Sequence, residues 1–230
     1  MNAARDYVRL DSATTTLVFA LQEGGAADCL YIGPALPYGE DLGALTAVSS
    51  RGRHESQPDA PPTPGLLPEP KAGWMGSPAV SLSAVDNGIP IRAATDFKLT
   101  SSETSDTNLK LRFCDAALGL ELTQAWSIHA GDVLSARSSI ANAGDQTYWL
   151  DHLASLTLPL PHRFTHATWF SGRWTHEMQK SRRALGSEGL ARASGHGKSG
   201  FGGNWLILDD PSTREALGVH LACIGDFDTR

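Results

Sequence analysis

Leu109-Lys110-Leu111-Arg112-Phe113-Cys114 and Leu120-Glu121-Leu122-Thr123-Gln124-Ala125-Trp126-Ser127-Ile128 alternate with a period of two. Successive side chains of a strand point to opposite faces, so this period builds strands with one apolar face and excludes helices, whose apolar stripe recurs every three to four residues. The second segment runs into a turn at Ala130-Gly131-Asp132, and Val133 to Ile140 resumes the period. Asn142-Ala143-Gly144-Asp145 reads as the next tight turn.

The same reading extends outward. Val8 to Leu10 and Thr16 to Leu21 carry β-branched and apolar residues, and Cys29 to Ile32 follows the Gly24-Gly25 break. Ala79 to Val85 alternates and turns at Asp86-Asn87-Gly88. Tyr148 to Pro161 is long and mostly apolar, and is expected to be a central strand buried on both sides. No amphipathic helix of three turns is evident. Glu177 to Leu185 could make a helical turn, but has no apolar stripe. Many short strands with regular turns predict a β-sandwich. Residues 51–72 form a proline-rich loop, with Pro58, Pro61, Pro62, Pro64, Pro68 and Pro70, which cannot build a ladder. Its first part reads as a surface linker. From Gly65 onward the apolar Leu66, Leu67, Trp74 and Met75 predict a docked segment.

The 230 residues suffice for a substantial core. A net charge of −6 argues against nucleic acid and anionic membrane partners. No stretch has the length of a membrane span, and the start lacks the apolar run of a signal peptide, so a cytoplasmic location is expected. Cys29, Cys114 and Cys223 are odd in number and widely spaced in apolar runs. They read as buried free thiols of a reducing compartment, not as a metal knuckle or disulfide framework.

Motifs for chemistry are sparse. Two carboxylates flanking one bond are the usual hydrolytic pair, and no spacing signals them. Asp115, Glu121 and Asp132 read as strand-exposed or turn residues, and Asp209-Asp210 as a turn before Pro211-Ser212. The eight histidines show no metal-ligand spacing, so neither a metal nor a cofactor is expected. Gly195-His196-Gly197-Lys198-Ser199-Gly200 lacks the spacing of a phosphate loop and precedes a strand.

Tryptophan is the better clue. An indole stacks on the C–H face of a sugar, and its N–H can bond a hydroxyl. Trp126, Trp149 and Trp205 lie in strand-like runs and are expected in the core. Trp174, among Gly172, Arg173, Thr175, His176 and Glu177, sits in too polar a setting for a core residue. Trp74 lies between Gly73 and Gly76. Both stand between local packing and contact with a ligand or subunit.

These residues resemble a family. Leu30 to Leu36, Pro68-Glu69-Pro70 through Gly73-Trp74-Met75-Gly76-Ser77-Pro78-Ala79, Ser138 to Gly144, Ser171-Gly172-Arg173-Trp174-Thr175-His176-Glu177 and Leu221 to Phe227 follow one another as in the N-terminal domain of α-galactosidases of glycoside hydrolase family 36. The resemblance covers nearly the whole chain. There are departures: Trp74 and Gly76 stand where the family has Asp and Arg before Ser-Pro-Ala, His176 replaces an Arg, the two-histidine loop is thinned to His196, and Cys223-Ile224 replaces Trp-Ser.

The resemblance implies an all-β fold, a galactose-mutarotase-like β-supersandwich of two large antiparallel sheets, forming the N-terminal domain (residues 1–230) of a longer hydrolase. It also implies a (β/α)₈ barrel that holds an Asp nucleophile in Lys-x-Asp and an Asp acid/base in Arg-x-Asp, with retention of configuration. A barrel needs roughly 250 residues and does not fit here. Lys-x-Asp is absent, and Arg9-Leu10-Asp11 lacks the family's glycine context. The chain itself is therefore expected to be inactive. Its implied partners are its own barrel, a neighbouring subunit of a homo-oligomer, and an α-galactoside bound by the full-length enzyme. Trp174, Trp74, His196 and Glu177 are the candidates for substrate or subunit contact. Two alternatives remain open: a self-standing carbohydrate-binding module, and a mutarotase-like enzyme, which would need an acid and a base such as His176 and Glu177 facing one sugar.

Overall fold

The computed structural model describes residues 6–49, 65–86, 89–186, 190–194, 204–222 and 226–229. The chain divides into two compact units, residues 1–159 and 160–230.

In the first unit, β1 (Asp6–Asp11), β2 (Thr15–Leu21) and β3 (Ala27–Pro34) form one antiparallel sheet in that order. A short helix, α1 (Leu42–Ser49), follows, and a single 3₁₀ turn covers Pro70–Ala72. Then come β4 (Val80–Asp86), β5 (Ile89–Ala93), β6 (Lys98–Thr104), β7 (Asn108–Asp115), β8 (Leu120–His129), β9 (Val133–Asn142) and β10 (Tyr148–Leu153). Strands β6 to β9 form a meander, and β10-β4-β5 a third sheet.

The period-two segments are strands β7, β8 and β9, in a register that pairs Leu111 with Gln124 and Gln124 with Ser138. Strand β8 alternates buried and accessible residues along its length, as its sequence predicts. The apolar face of the meander (Leu109, Leu111, Phe113, Leu122, Trp126, Ile128) packs with Leu10, Leu17 and Phe19 of the first sheet and with Val80 and Leu82 of β4. Phe19 meets Trp126 edge-on, with ring centroids 5.2 Å apart, a favoured aromatic geometry. Each such side chain contributes about 1.5–3 kcal/mol by leaving water.

In the second unit, β11 (His166–Arg173), β12 (His176–Ala184), β13 (Arg192–Ser194), β14 (Trp205–Asp210), β15 (Glu215–His220) and β16 (Phe227–Thr229) make two antiparallel sheets. Their orders are β12-β11-β14-β15 and β13-β16.

Several expectations change. The strand buried along its whole length is β2, from Thr16 to Leu21. Tyr148 to Pro161 yields only the six-residue β10, with Trp149 65% exposed and Leu150 exposed. That segment is apolar, but a β-bulge between Leu150 and His152 breaks its ladder. Glu177 to Ala184 is strand, not a helical turn: it pairs with β11 from Ala184 to Gln179, and the partner strand overrides its weak helical pattern. Cys29 is buried and reduced, and burial pushes its thiol up to about 12, whereas Cys114 is only half-buried. Cys223, the turn at Asn87-Gly88 and residues 51–64 lie outside the described residues.

The docked part of the proline-rich loop is real. Leu66 enters the core, and its N–H donates to the carbonyl of Ala27 at 2.8 Å. Both carboxylate oxygens of buried Glu69 accept the N–H of Phe97 at 3.1 Å. Met75, expected to dock, is 97% exposed.

Candidate functional site

Trp174 and Glu177 occupy the tip of the β11–β12 hairpin. Arg173 pairs with His176, which leaves Trp174-Thr175 as a two-residue loop. Thr175 takes φ 63, a left-handed conformation that is costly for a β-branched residue. Glu177 holds that turn, since its carboxylate accepts the N–H of Thr175 at 2.9 Å. Gly172 lets the two strands touch: a Cβ there would stand 2.6 Å from both the Cα of Glu177 and the carbonyl oxygen of His176. The result is an indole carried 81% exposed on a braced tip. Glu177 thus positions the loop, and the ladder is irregular just beyond it, with a register shift between Ser171 and Arg173 and Met178 at φ 54.

Trp74 lies in the first unit, in the loop after the 3₁₀ turn. Gly73 ends that turn at φ 83 and donates back to the carbonyl of Pro70. The indole N–H of Trp74 donates to the carbonyl of Ser77 at 3.0 Å. Its ring lies over Gly76, where an added Cβ would be 2.7 Å from ring carbons. Trp74 therefore packs within its own loop. His196 lies outside the described residues.

Of the three tryptophans expected in the core, Trp126 is there, 1% exposed. Trp149 and Trp205 are not. Trp205 opens β14 at 53% exposure, and its ring stacks on that of His220, with centroids 4.0 Å apart and planes 14° from parallel. The apolar run Trp205-Leu206-Ile207-Leu208 suggested burial, but its alternate residues face opposite sides of the sheet. A tryptophan at a strand's first residue, beside a strand ending in His220, was the available signal.

Four aspartates serve the fold. Asp115, expected to be exposed or in a turn, is buried and caps the β7–β8 turn, accepting the N–H groups of Ala117 and Leu118 at 3.1 Å and that of Asp96 at 2.7 Å. Asp210 caps the turn after β14 through Ser212 and Thr213, and these bonds hold its carboxyl below the usual range. Asp132 accepts the hydroxyls of Ser12 and Thr14, which lower it likewise. The Arg-x-Asp segment is an ion pair: Arg9 Nε meets Asp11 at 2.6 Å, while the guanidinium also donates to the carbonyls of Leu36 and Pro37 and lies over Tyr38. Among the described residues, no group of three or more His, Cys, Asp or Glu side chains is placed to hold a metal ion.

Comparison with known proteins agrees with this picture. An α-galactosidase of Escherichia coli is 26% identical over 231 residues, which cover 97% of this chain and 31% of that protein. A family 36 α-galactosidase of Geobacillus stearothermophilus superposes with a TM-score of 0.71 at 20% identity, over 90% of this chain and 32% of its own. The galactosidase domain of an α-galactosidase–sucrose kinase gives 0.74 at 18% identity, over 98% and 36%. The likeness bears out the all-β supersandwich. The chain spans about a third of the length of each of these proteins. Residues 25–229 match the profile of the glycosyl hydrolase family 36 N-terminal domain, and the chain belongs to that family.

Proposed function

We propose that this chain is the non-catalytic N-terminal domain of a cytoplasmic, retaining α-galactosidase-like hydrolase, which acts on terminal α-galactosides with a (β/α)₈ barrel supplied by further sequence. The carrying observation is the family match over residues 25–229, together with relatives about three times as long that are α-galactosidases. Structures of the Geobacillus stearothermophilus enzyme exist in complex with raffinose and stachyose, which favours galactosides of that kind as substrates. The structural duties of Asp11, Asp115, Asp132 and Asp210 support a chain without its own catalytic pair.

The domain supports its barrel and a homo-oligomer, and Trp174 is its contact with the sugar subsite or a neighbouring subunit. A rigid exposed indole excludes water and adds apolar area without taking part in bond cleavage. The test is raffinose hydrolysis by the product of the full reading frame that encodes this chain, native and with Trp174→Ala. A rise in KM of about fivefold, corresponding to about 1 kcal/mol of uniform binding, with kcat retained, is expected. Loss of kcat at unchanged KM, or no hydrolysis by the native protein, contradicts the reading.

A further inference from the structure

Trp205 is not left exposed by accident of packing; it is held in place. One face of its indole rests on the His220 imidazole. His220 is fixed in turn, because the buried Asn204 donates from Nδ2 to His220 Nε2 at 3.1 Å and to the carbonyl of Leu221 at 2.6 Å. Two acceptors on one amide nitrogen settle the orientation of that amide and leave Nε2 as the acceptor of the ring. Stacked on His220 and still 53% exposed, the indole offers surface to solvent.

The same side of the sheet continues from this platform. Alternation puts Ile207 and Asp209 on the face that carries Trp205, opposite Gly218 and Ala216 of β15. Gly218 has nothing within 4 Å of where a Cβ would stand, so the surface dips beside Ile207. Beyond the dip, Asp209 is paired with Arg182 at 2.6 Å. A flat aromatic, an apolar floor and a carboxylate–guanidinium pair follow one another along one face.

We infer that this face of β14 and β15 is a carbohydrate-binding site, which takes a neutral pyranoside stacked on Trp205, with its hydroxyls directed to Asp209 and Arg182. The C–H face of a pyranose matches the open indole, and hydroxyls both donate to a carboxylate and accept from a guanidinium. Beside the dip, Asp209 and Arg182 neutralise each other. Holding the indole in advance spares the entropy of ordering it on binding. The site is distinct from the Trp174 hairpin tip and needs no barrel.

The test is a two-dimensional ¹H–¹⁵N spectrum of the indole N–H groups of this 230-residue chain, titrated separately with methyl α-galactopyranoside and methyl β-glucopyranoside. Trp205→Phe identifies the Trp205 signal by its loss. A saturable shift of that signal with either sugar is expected. Saturation transfer to the sugar should weaken about tenfold in Trp205→Ala, fall as well in His220→Ala, and survive Trp149→Ala. A Trp205 signal unmoved by both sugars in the native chain overturns the inference without relying on any variant that might misfold. So does binding that survives Trp205→Ala.

Discussion

The indole of Trp74 lies so close over Gly76 that a Cβ at residue 76 would stand 2.7 Å from its ring carbons, while its N–H donates to the carbonyl of Ser77. Trp74 and Gly76 are two of the positions at which the sequence reading places departures from the pattern of the family it resembles. Their contact couples the two residues: the ring can lie flat in the loop only over a residue without a side chain.

A double-mutant cycle tests that coupling. Gly76→Ala should displace the ring and cost about 1–3 kcal/mol, the usual range for overpacking. In a Trp74→Ala background the same change should cost little, which gives a coupling of at least about 1 kcal/mol. Thermal unfolding of the four proteins measures it.

The hairpin tip should respond oppositely at two neighbouring positions. Thr175→Asn relieves a β-branched residue at φ 63 and should raise stability by about 1 kcal/mol. Gly172→Ala drives a Cβ into the backbone of His176 and Glu177. It should lower stability and alter the fluorescence of the tip indole. Melting temperature and tryptophan emission read both effects.

How much of this was legible follows from what each residue's neighbours do. The meander and its core were readable because Leu109 to Cys114 and Leu120 to Ile128 commit one face each to burial, a local pattern that tertiary structure keeps. The exposure of Trp149 and Trp205 was not readable. An apolar run gives the spacing of side chains but not which face another sheet covers. The exposure of Trp174 was legible from its polar neighbours. The bracing of its loop by the Glu177 carboxylate was not, because it depends on the reversal of chain direction at Thr175. The coincidental Arg-x-Asp could be set aside from its context, yet only the structure shows that Arg9, paired with Asp11, pins residues 36–38.

Glu69 makes a pH prediction. Burial pushes its carboxyl above the usual range, and the Phe97 N–H, which pulls the other way, does not cancel this. The folded protein therefore holds the Glu69 proton more tightly than the unfolded chain does, and this contribution to stability declines as pH rises above the ordinary glutamate value of about 4.3. Glu69→Gln keeps an acceptor for Phe97 and should gain stability over the native protein as pH rises from acid to neutral. Glu69→Ala should lose about 1–3 kcal/mol, because the Phe97 N–H is left buried and unpaired. Melting curves of the three proteins across that pH range decide it.

Asp11 has the opposite sign. Burial raises its carboxyl, but the hydrogen bonds from Arg9 and Thr16 and the Arg9 charge outweigh that and hold it below the usual range. Its contribution is complete at neutral pH and is lost as pH falls below the ordinary aspartate value of about 3.9 towards the folded value. Asp11→Asn should cost about 1.5–3 kcal/mol at neutral pH, the range for a hydrogen bond to a charged group, and progressively less in acid. In the full reading frame it should leave turnover of α-galactosides unchanged, because Asp11 serves the fold.

The most direct measurement compares hydrolysis of a chromogenic α-galactoside by this 230-residue chain with hydrolysis by the product of the full reading frame that encodes it. Hydrolysis by the longer protein alone is the predicted result. Hydrolysis by the 230-residue chain would contradict the account, because a nucleophile and an acid would then have to lie among the carboxylates of this chain.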